Sequence, residues 1–364
     1  MKYFIKHVPS PLRSKFVESR LGKPGVQVMA TDYTSFESHF VPELMRICEM
    51  EYYRHMVVNL HDGPLFLSLV ETLAGTNFCS FKNVKAEVFA GRMSGEMNTS
   101  LGNSFTNLMF YLFIHDQLGN SDYDCLIEGD DCLGVFKGRM PTSKMYADLG
   151  MTVKIEFPKS LNVASFCGQV FTADHVVVTD PIKAYLNVGW APAIYSGSSA
   201  KTRRELLNCK ARSLLYEHSG CPIVTSMCRY ILKNTTHYRV LALNPYERAR
   251  LVERMKSPLV YREVSMEARQ LVQDLYGVPI LAQILAEQWF DSRVGFEPLD
   301  CPYLYPFISR ACLDYDREFV ILDWSRHFER MPLPGPAAVD PGLIKYYATQ
   351  GTQVISPPKR SPTS

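Results

Sequence analysis

Three aspartates have the residue type and spacing to do chemistry. Asp32 ends the β-rich run VQVMATD at 26–32, and Asp130 and Asp131 lie in CLIEGDDCLGVF at 125–136. The two acidic sites are 98 positions apart, from 32 to 130, yet neighbouring strands of one sheet can bring such ends together. Carboxylates gathered at adjacent strand tips suit Mg²⁺, a hard cation that takes oxygen ligands and uses one or two carboxylates with substrate phosphates. Two such ions activate an attacking hydroxyl and stabilise a leaving pyrophosphate in an in-line displacement. The competing reading is a solvated turn, because Gly and Asp are favoured turn residues. By composition a Gly-Asp-Asp triplet arises in roughly one chain in ten of this length, so alone it decides nothing.

A second polar set lies between the aspartates, in GRMSGEMNTSLGN at 91–103. Met97, Leu101, Phe105, Leu108 and Leu112 recur at helical spacing, which predicts a helix with Ser94-Gly95 as its loop and cap. Glu96, Thr99, Asn103 and Asn107 share the face opposite this apolar stripe. A row of hydrogen-bonding side chains suits recognition of a sugar hydroxyl and a template strand. It equally suits a face turned to water.

The elements that must position these residues follow from pattern. The run at 26–32 reads as a strand with Asp32 at its tip, and 41–60 as a helix carrying Leu44, Met45, Cys48, Tyr52 and Met56, followed by a turn at HDGPLF. Residues 125–136 read as a β-hairpin with Glu128–Asp131 at its turn. A helix, the strand MTVKIEF and a strand pair around SFCGQVF occupy 144–171, and mainly helical sequence continues to about 330. The Pro-rich segments at 331–342 and 356–364 read as a linker and a disordered tail.

Composition sets the outer bounds. With 364 residues, 46% hydrophobic and 21% charged, the chain is neither collagen, a coiled-coil rod nor mostly disordered, and it is long enough for two or three domains. A net charge of +2 argues against a surface that binds polyanions everywhere. A local basic stretch remains: SSAKTRRELLNCKAR at 198–212 carries Lys201, Arg203, Arg204, Lys210 and Arg212 against Glu205 alone. A positive helix of this kind can track phosphates, although a charge run is also an ordinary solvated face. No stretch approaches the roughly 20 apolar residues of a membrane span, and the N-terminus has no apolar signal core. The ten cysteines form no CxxC pair and read as reduced thiols of a cytosolic protein.

The ordered set ATDYTSFE, RMSGEMNTSLGN, IEGDDCLGVF, GMTVKIEFPK and SFCGQVF resembles palm motifs A to E of viral RNA-dependent RNA polymerases, with the tombusvirus and nodavirus type of positive-strand RNA virus as the nearest likeness. The likeness covers about residues 26–171 and is weaker beyond. It implies that Asp32, Asp130 and Asp131 hold two Mg²⁺ ions, with Mn²⁺ able to substitute. It implies that Ser94 and Gly95 form the loop that positions template and nucleotide, and that Thr99 and Asn103 help read the ribose 2′-hydroxyl. The family usually has Asp five residues after the first metal-binding Asp; this chain has Glu37, which keeps the charge and adds a methylene. Lys154 and Lys159 are the two candidates for the general acid that protonates pyrophosphate, the alternative being ordinary surface lysines on a strand edge.

The fold expected from the likeness is α+β: a right-hand palm of βαββαβ type, part of the fingers, and a helical thumb. The segments are a lead-in at 1–25, palm at 26–37, a fingers insertion at 38–90, palm at 91–171, thumb at 172–330 and a tail at 331–364. The function implied is RNA-templated RNA synthesis from NTPs. Template and product RNA would be partners, together with an upstream replicase region or other viral replication proteins, in the host cytoplasm at membrane-associated sites reached through those partners. Two rivals stand beside it. One is a non-catalytic RNA-binding subunit or inactive fragment of a larger replicase, favoured by the short stretch before Asp32; the other is a reverse transcriptase, disfavoured by Asn103.

Overall fold

The computed structural model describes residues 2–93, 95–195, 197–235, 245–295 and 299–310. Ser94 and the expected tail at 331–364 lie outside the described residues, as does the end of the expected thumb. The chain divides into two compact units, Met1–Phe171 and a second beginning at Thr172.

The first unit opens with helix α1 (Ser10–Leu21), then strand β1 (Gln27–Tyr33). Three of β1's central residues, Val28 to Ala30, are buried. The segment predicted as one helix over 41–60 is α2 (Pro42–Met45), a π turn (Arg46–Met50) and α3 (Glu51–Val57). The extra residue in the π turn rotates the following chain, so that Met45, Glu49, Met50, Tyr53 and Val57 all point inward. Helix α4 (Gly63–Val70) and a two-stranded hairpin, β2 (Thr76–Ser80) with β3 (Lys85–Phe89), complete this insertion.

Helix α5 (Thr99–Leu118) is the helix that the apolar spacing predicted, but its polar row also turns inward, and of the apolar stripe only Leu108 is fully buried. Met97 and Leu101 of the apolar stripe are exposed, whereas Asn103, Thr106 and Asn107 are buried. The polar row does not face water. Its cap also differs: Asn98 occupies the N-cap position without a side-chain cap bond.

After α5 come β4 (Ser121–Glu128), β5 (Asp131–Lys137), α6 (Ser143–Ala147) and β6 (Val153–Glu156). The four strands β1, β4, β5 and β6 form one antiparallel sheet in the order β4-β5-β1-β6. With α5 and α6 as the crossovers, this is the expected βαββαβ arrangement. Leu108 and Tyr111 of α5 pack with Met29, Cys125, Ile127, Cys132 and Phe136 of the sheet; each such side chain contributes roughly 1.5–3 kcal/mol by leaving water. Tyr3 and Ile5 bond to Ile127 beside β4, and Arg20 of α1 pairs with Asp124 at 2.8 Å, so the N-terminal segment is tied to the same sheet. The SFCGQVF segment closes as a tight turn in which Phe166 and Gln169 exchange backbone hydrogen bonds.

The second unit is mainly helical: α7 (Pro181–Asn187), α8 (Ala200–His218), α9 (Val224–Lys233), α10 (Pro245–Lys256), α11 (Met266–Tyr276) and α12 (Ile280–Ser292). Asp180, Ser199 and Ser265 cap α7, α8 and α11 by accepting backbone N–H bonds. Its core is apolar, built on Ile182, Leu215, Val224, Met227, Ile231, Val272 and Phe290.

Candidate active site

The acidic residues meet at one end of the sheet. Strand β1 pairs with β5 up to Thr31 opposite Cys132, and with β6 through Asp32 opposite Lys154. Asp32 follows Thr31 and Asp131 precedes Cys132, so the two aspartates are the next residues beyond the last β1–β5 pair. Asp130 occupies the two-residue turn between β4 and β5, where Gly129 takes a φ of 68° that an L side chain rarely adopts.

Helix α5 holds this turn from below through its polar face. The Gly129 N–H donates to Ser104 Oγ at 2.8 Å. Asn107 Nδ2 donates to the Asp130 carbonyl at 2.7 Å and reaches that of Gly129 at 3.3 Å, while its Oδ1 accepts from the Tyr33 hydroxyl at 3.1 Å. Burial pushes the Tyr33 phenol well up, so it stays a donor. Asn107 thus links the residue after Asp32 to the turn that carries Asp130. Its place on the polar face was visible in the sequence, its partners were not; Ser104 gave no sequence signal.

The carboxylates lie in one another's field. Burial raises the Asp130 carboxyl, with Glu37 and Asp32 adding to it. Asp131 is pushed up to about 6, first by burial and then by Asp130, with Asp32 and Glu128 adding and a hydrogen bond from Cys167 opposing. Beside them, Glu128 is clamped by Arg13 at 2.8 Å and by the Cys167 thiol at 3.6 Å.

Among the described residues, no group of three or more Asp, Glu, His or Cys side chains forms a metal cage. The aspartates nevertheless fit a hard divalent cation. They are oxygen donors, and a cation among them would oppose the burial and the neighbouring charges that raise the Asp130 and Asp131 carboxyls. Mg²⁺ is commonly completed by substrate phosphates rather than by an all-protein cage.

The remaining sequence candidates divide. Glu37 lies in a short helical turn after Ser35, which adopts a left-handed φ of 50°, and accepts from Asn103 Nδ2 at 3.2 Å. The extra methylene therefore does not prevent the Glu37–Asn103 contact. Asn103 is buried and its Oδ1 has no partner. Thr99 donates its hydroxyl to the Met93 carbonyl at 3.1 Å, and Gly95 stands exposed with a φ of 92°. Lys154 is exposed on the same face as Asp32, and Glu156, 2.5 Å away, raises its pKa. Lys159 is exposed in the loop after β6.

In the second unit, the five-residue basic face of α8 is reduced to three. Lys201, Arg203 and Arg204 are exposed. Lys210 turns inward to the carbonyls of Asn187 and Trp190, where burial lowers its pKa, and the half-buried Arg212 donates to Asn208 Oδ1 at 3.0 Å. Among the described residues no helix is long and apolar enough to cross a membrane.

No curated protein matches the chain. Among solved structures, the crystal structure of an insertion-loop deletion mutant of the RNA-dependent RNA polymerase of a human picorbirnavirus is similar at 14% identity with a TM-score of 0.47, covering 62% of this chain and 45% of that one. The chain thus spans less than half the length of that polymerase. The model of the family described as viral RNA dependent RNA polymerase matches residues 29–293, well over half of the chain. That stretch holds every acidic residue of the sheet edge, and by it the chain belongs to the viral RNA-dependent RNA polymerase family.

Proposed function

We propose that this chain carries the palm of a positive-strand RNA virus polymerase and performs RNA-templated RNA synthesis. A 3′-hydroxyl attacks the α-phosphate of a ribonucleoside triphosphate and pyrophosphate departs. The observation that carries the reading is that Asp32 and Asp131 directly adjoin the last paired residues of the neighbouring strands β1 and β5, with Asp130 in a turn pinned by Ser104 and Asn107. Asp32, Asp130 and Asp131 would hold Mg²⁺, which supplies activation of the attacking hydroxyl and charge neutralisation at the phosphates.

The protein's own part is positioning. Asn107 and Tyr33 keep the two acidic segments in register. Asn103, steadied by Glu37, carries a buried Oδ1 without a partner, which would accept from the ribose 2′-hydroxyl once the nucleotide seats against it. Thr99 has committed its proton to Met93 and serves the ribose only as an acceptor. Lys154, its ammonium form favoured by Glu156, stabilises charge on the phosphates better than it gives up a proton, which leaves proton donation to Lys159. Lys201, Arg203 and Arg204 contact RNA phosphates. Replication takes place in the host cytoplasm, at membranes reached through partner proteins.

The test is primer extension on an RNA template with NTPs and Mg²⁺ or Mn²⁺, beside Asp130→Ala. Extension that the substitution abolishes supports the reading. RNA binding without extension in either protein would leave a binding subunit, or a polymerase that requires further polypeptide.

A further inference from the structure

Glu49 lies in the insertion between β1 and α5 and takes no part in the acidic edge, yet it is wholly buried, at 0% exposure. The π turn at Arg46–Met50 aims it inward. Its carboxylate accepts from the guanidinium of Arg92, from Asn98 Nδ2 and, at 3.0 Å, from the Tyr53 hydroxyl. Arg92 is also buried, and its guanidinium lies 4.9 Å from the centroid of the Phe40 ring. Arg92 and Asn98 bracket the loop that contains Gly95.

The base of that loop is closed by further bonds. Glu96 accepts from Arg92 Nη1 and from the Met93 N–H, each at 3.3 Å. The Met93 carbonyl accepts from the Glu96 N–H at 3.3 Å and from Thr99 Oγ1 at 3.1 Å. The tip is open: Met97 is fully exposed, and a Cβ on Gly95 would meet no atom within 4 Å. Gly102, one turn into α5, leaves the space the ion pair needs. A Cβ there would stand 2.5 Å from Arg92 Nη2 and 2.8 Å from Glu49 Cδ.

We propose that Glu49 is a positioning residue that, through Arg92 and Asn98, fixes the base of the Met93–Asn98 loop and so sets the affinity for the incoming nucleotide. The inference rests on the polymerase reading above. Removing one member leaves a buried charge unpaired and endangers folding, whereas replacing both with neutral residues of similar volume is commonly tolerated.

The test is therefore Glu49→Gln/Arg92→Met in the full chain. Its melting temperature is expected within about 5 °C of wild type, a shift of the size one modest interaction produces. KM for NTP rises at least tenfold while kcat changes less than threefold and RNA affinity holds. Amide exchange at Met93, Glu96 and Thr99 quickens at least tenfold, with Phe110 and Ile114 of α5 unchanged. Wild-type exchange at these three amides, or faster exchange with unchanged KM, overturns the proposal. Should the double variant unfold, Gly102→Ala supplies the same readouts, because its methyl crowds the pair at a site where Gly to Ala ordinarily favours a helix. If wild type makes no RNA, that failure belongs to the polymerase reading. Loop exchange and binding of ATP with Mn²⁺, neither needing turnover, then decide this proposal by themselves.

Discussion

Helix α5 of the first unit and helix α9 of the second both pack inward, and they do so with different chemistry. Helix α5 buries four polar residues, Asn103, Ser104, Thr106 and Asn107, before its apolar Leu108, Phe110, Tyr111 and Ile114; α9 buries mainly apolar residues, Val224, Met227, Cys228, Tyr230 and Ile231, with Thr225 and Ser226. Two of the buried glutamates, Glu49 and Glu287, differ likewise. Glu287 accepts from Arg269 at 2.7 Å and from the Ile223 N–H at 2.9 Å, joining α11, α12 and the start of α9. Glu49 instead joins a helix to the two ends of a loop beside the acidic edge. An apolar core needs only volume and shape. Polar groups cost free energy on burial unless they are hydrogen-bonded, and Ser104, Asn107 and Glu49 are bonded where a backbone turn and a loop are held in place.

The comparison can be broken by substitution. Asp130→Asn should lower primer extension by at least about 10³-fold, the scale of losing one preorganised electrostatic group, without lowering the melting temperature, because it relieves repulsion. Asn107→Ala should remove the bonds to the turn and to Tyr33. The expected losses are roughly 10–100-fold in kcat and about 1–3 kcal/mol in stability from the groups left unpaired. Met227→Ala in α9 reverses the pattern: about 2–5 kcal/mol of stability by denaturant unfolding, with kcat preserved in the fraction that stays folded.

A pH series sharpens the comparison. Burial and Asp130 hold the Asp131 carboxyl at about 6, above the unfolded value of about 3.9. The folded state therefore binds that proton more tightly, and this favourable contribution is lost as pH rises from about 4 through about 6. Without divalent cations, the melting temperature should fall between pH 5 and 7 less steeply in Asp131→Asn than in wild type. Added Mn²⁺ should restore stability at pH 7 in wild type only. The smallest effect is expected in α8. Each of Lys201→Ala, Arg203→Ala and Arg204→Ala should weaken RNA binding modestly and flatten its salt dependence by about one ion, and Lys210→Ala should act on stability instead.

Much of the site was legible in the sequence because its strands and turn are local. The apolar run before Asp32 and the GDD turn between two short apolar runs need no distant contact to be read. The inward face of α5 was not legible, since hydrophobic periodicity assumes that the buried face is the apolar one. Here Asn107 is drawn inward by the backbone carbonyls of Gly129 and Asp130. Glu49 was hidden for a related reason. A glutamate in a helical run reads as solvated, and only the π turn, set by packing, aims it at Arg92. Lys210 turns to the carbonyls of Asn187 and Trp190 from outside its helix, whereas Arg212 bonds Asn208 one turn back on α8 itself; a charge run reveals neither contact.

The most direct measurement of the central claim is Mn²⁺ binding followed by electron paramagnetic resonance, with NTP and RNA present. Wild type should take up about two ions per chain, and Asp130→Asn should lose that uptake while keeping its fold. Unchanged Mn²⁺ binding in the folded variant would contradict the assignment of the acidic sheet edge as the cation site.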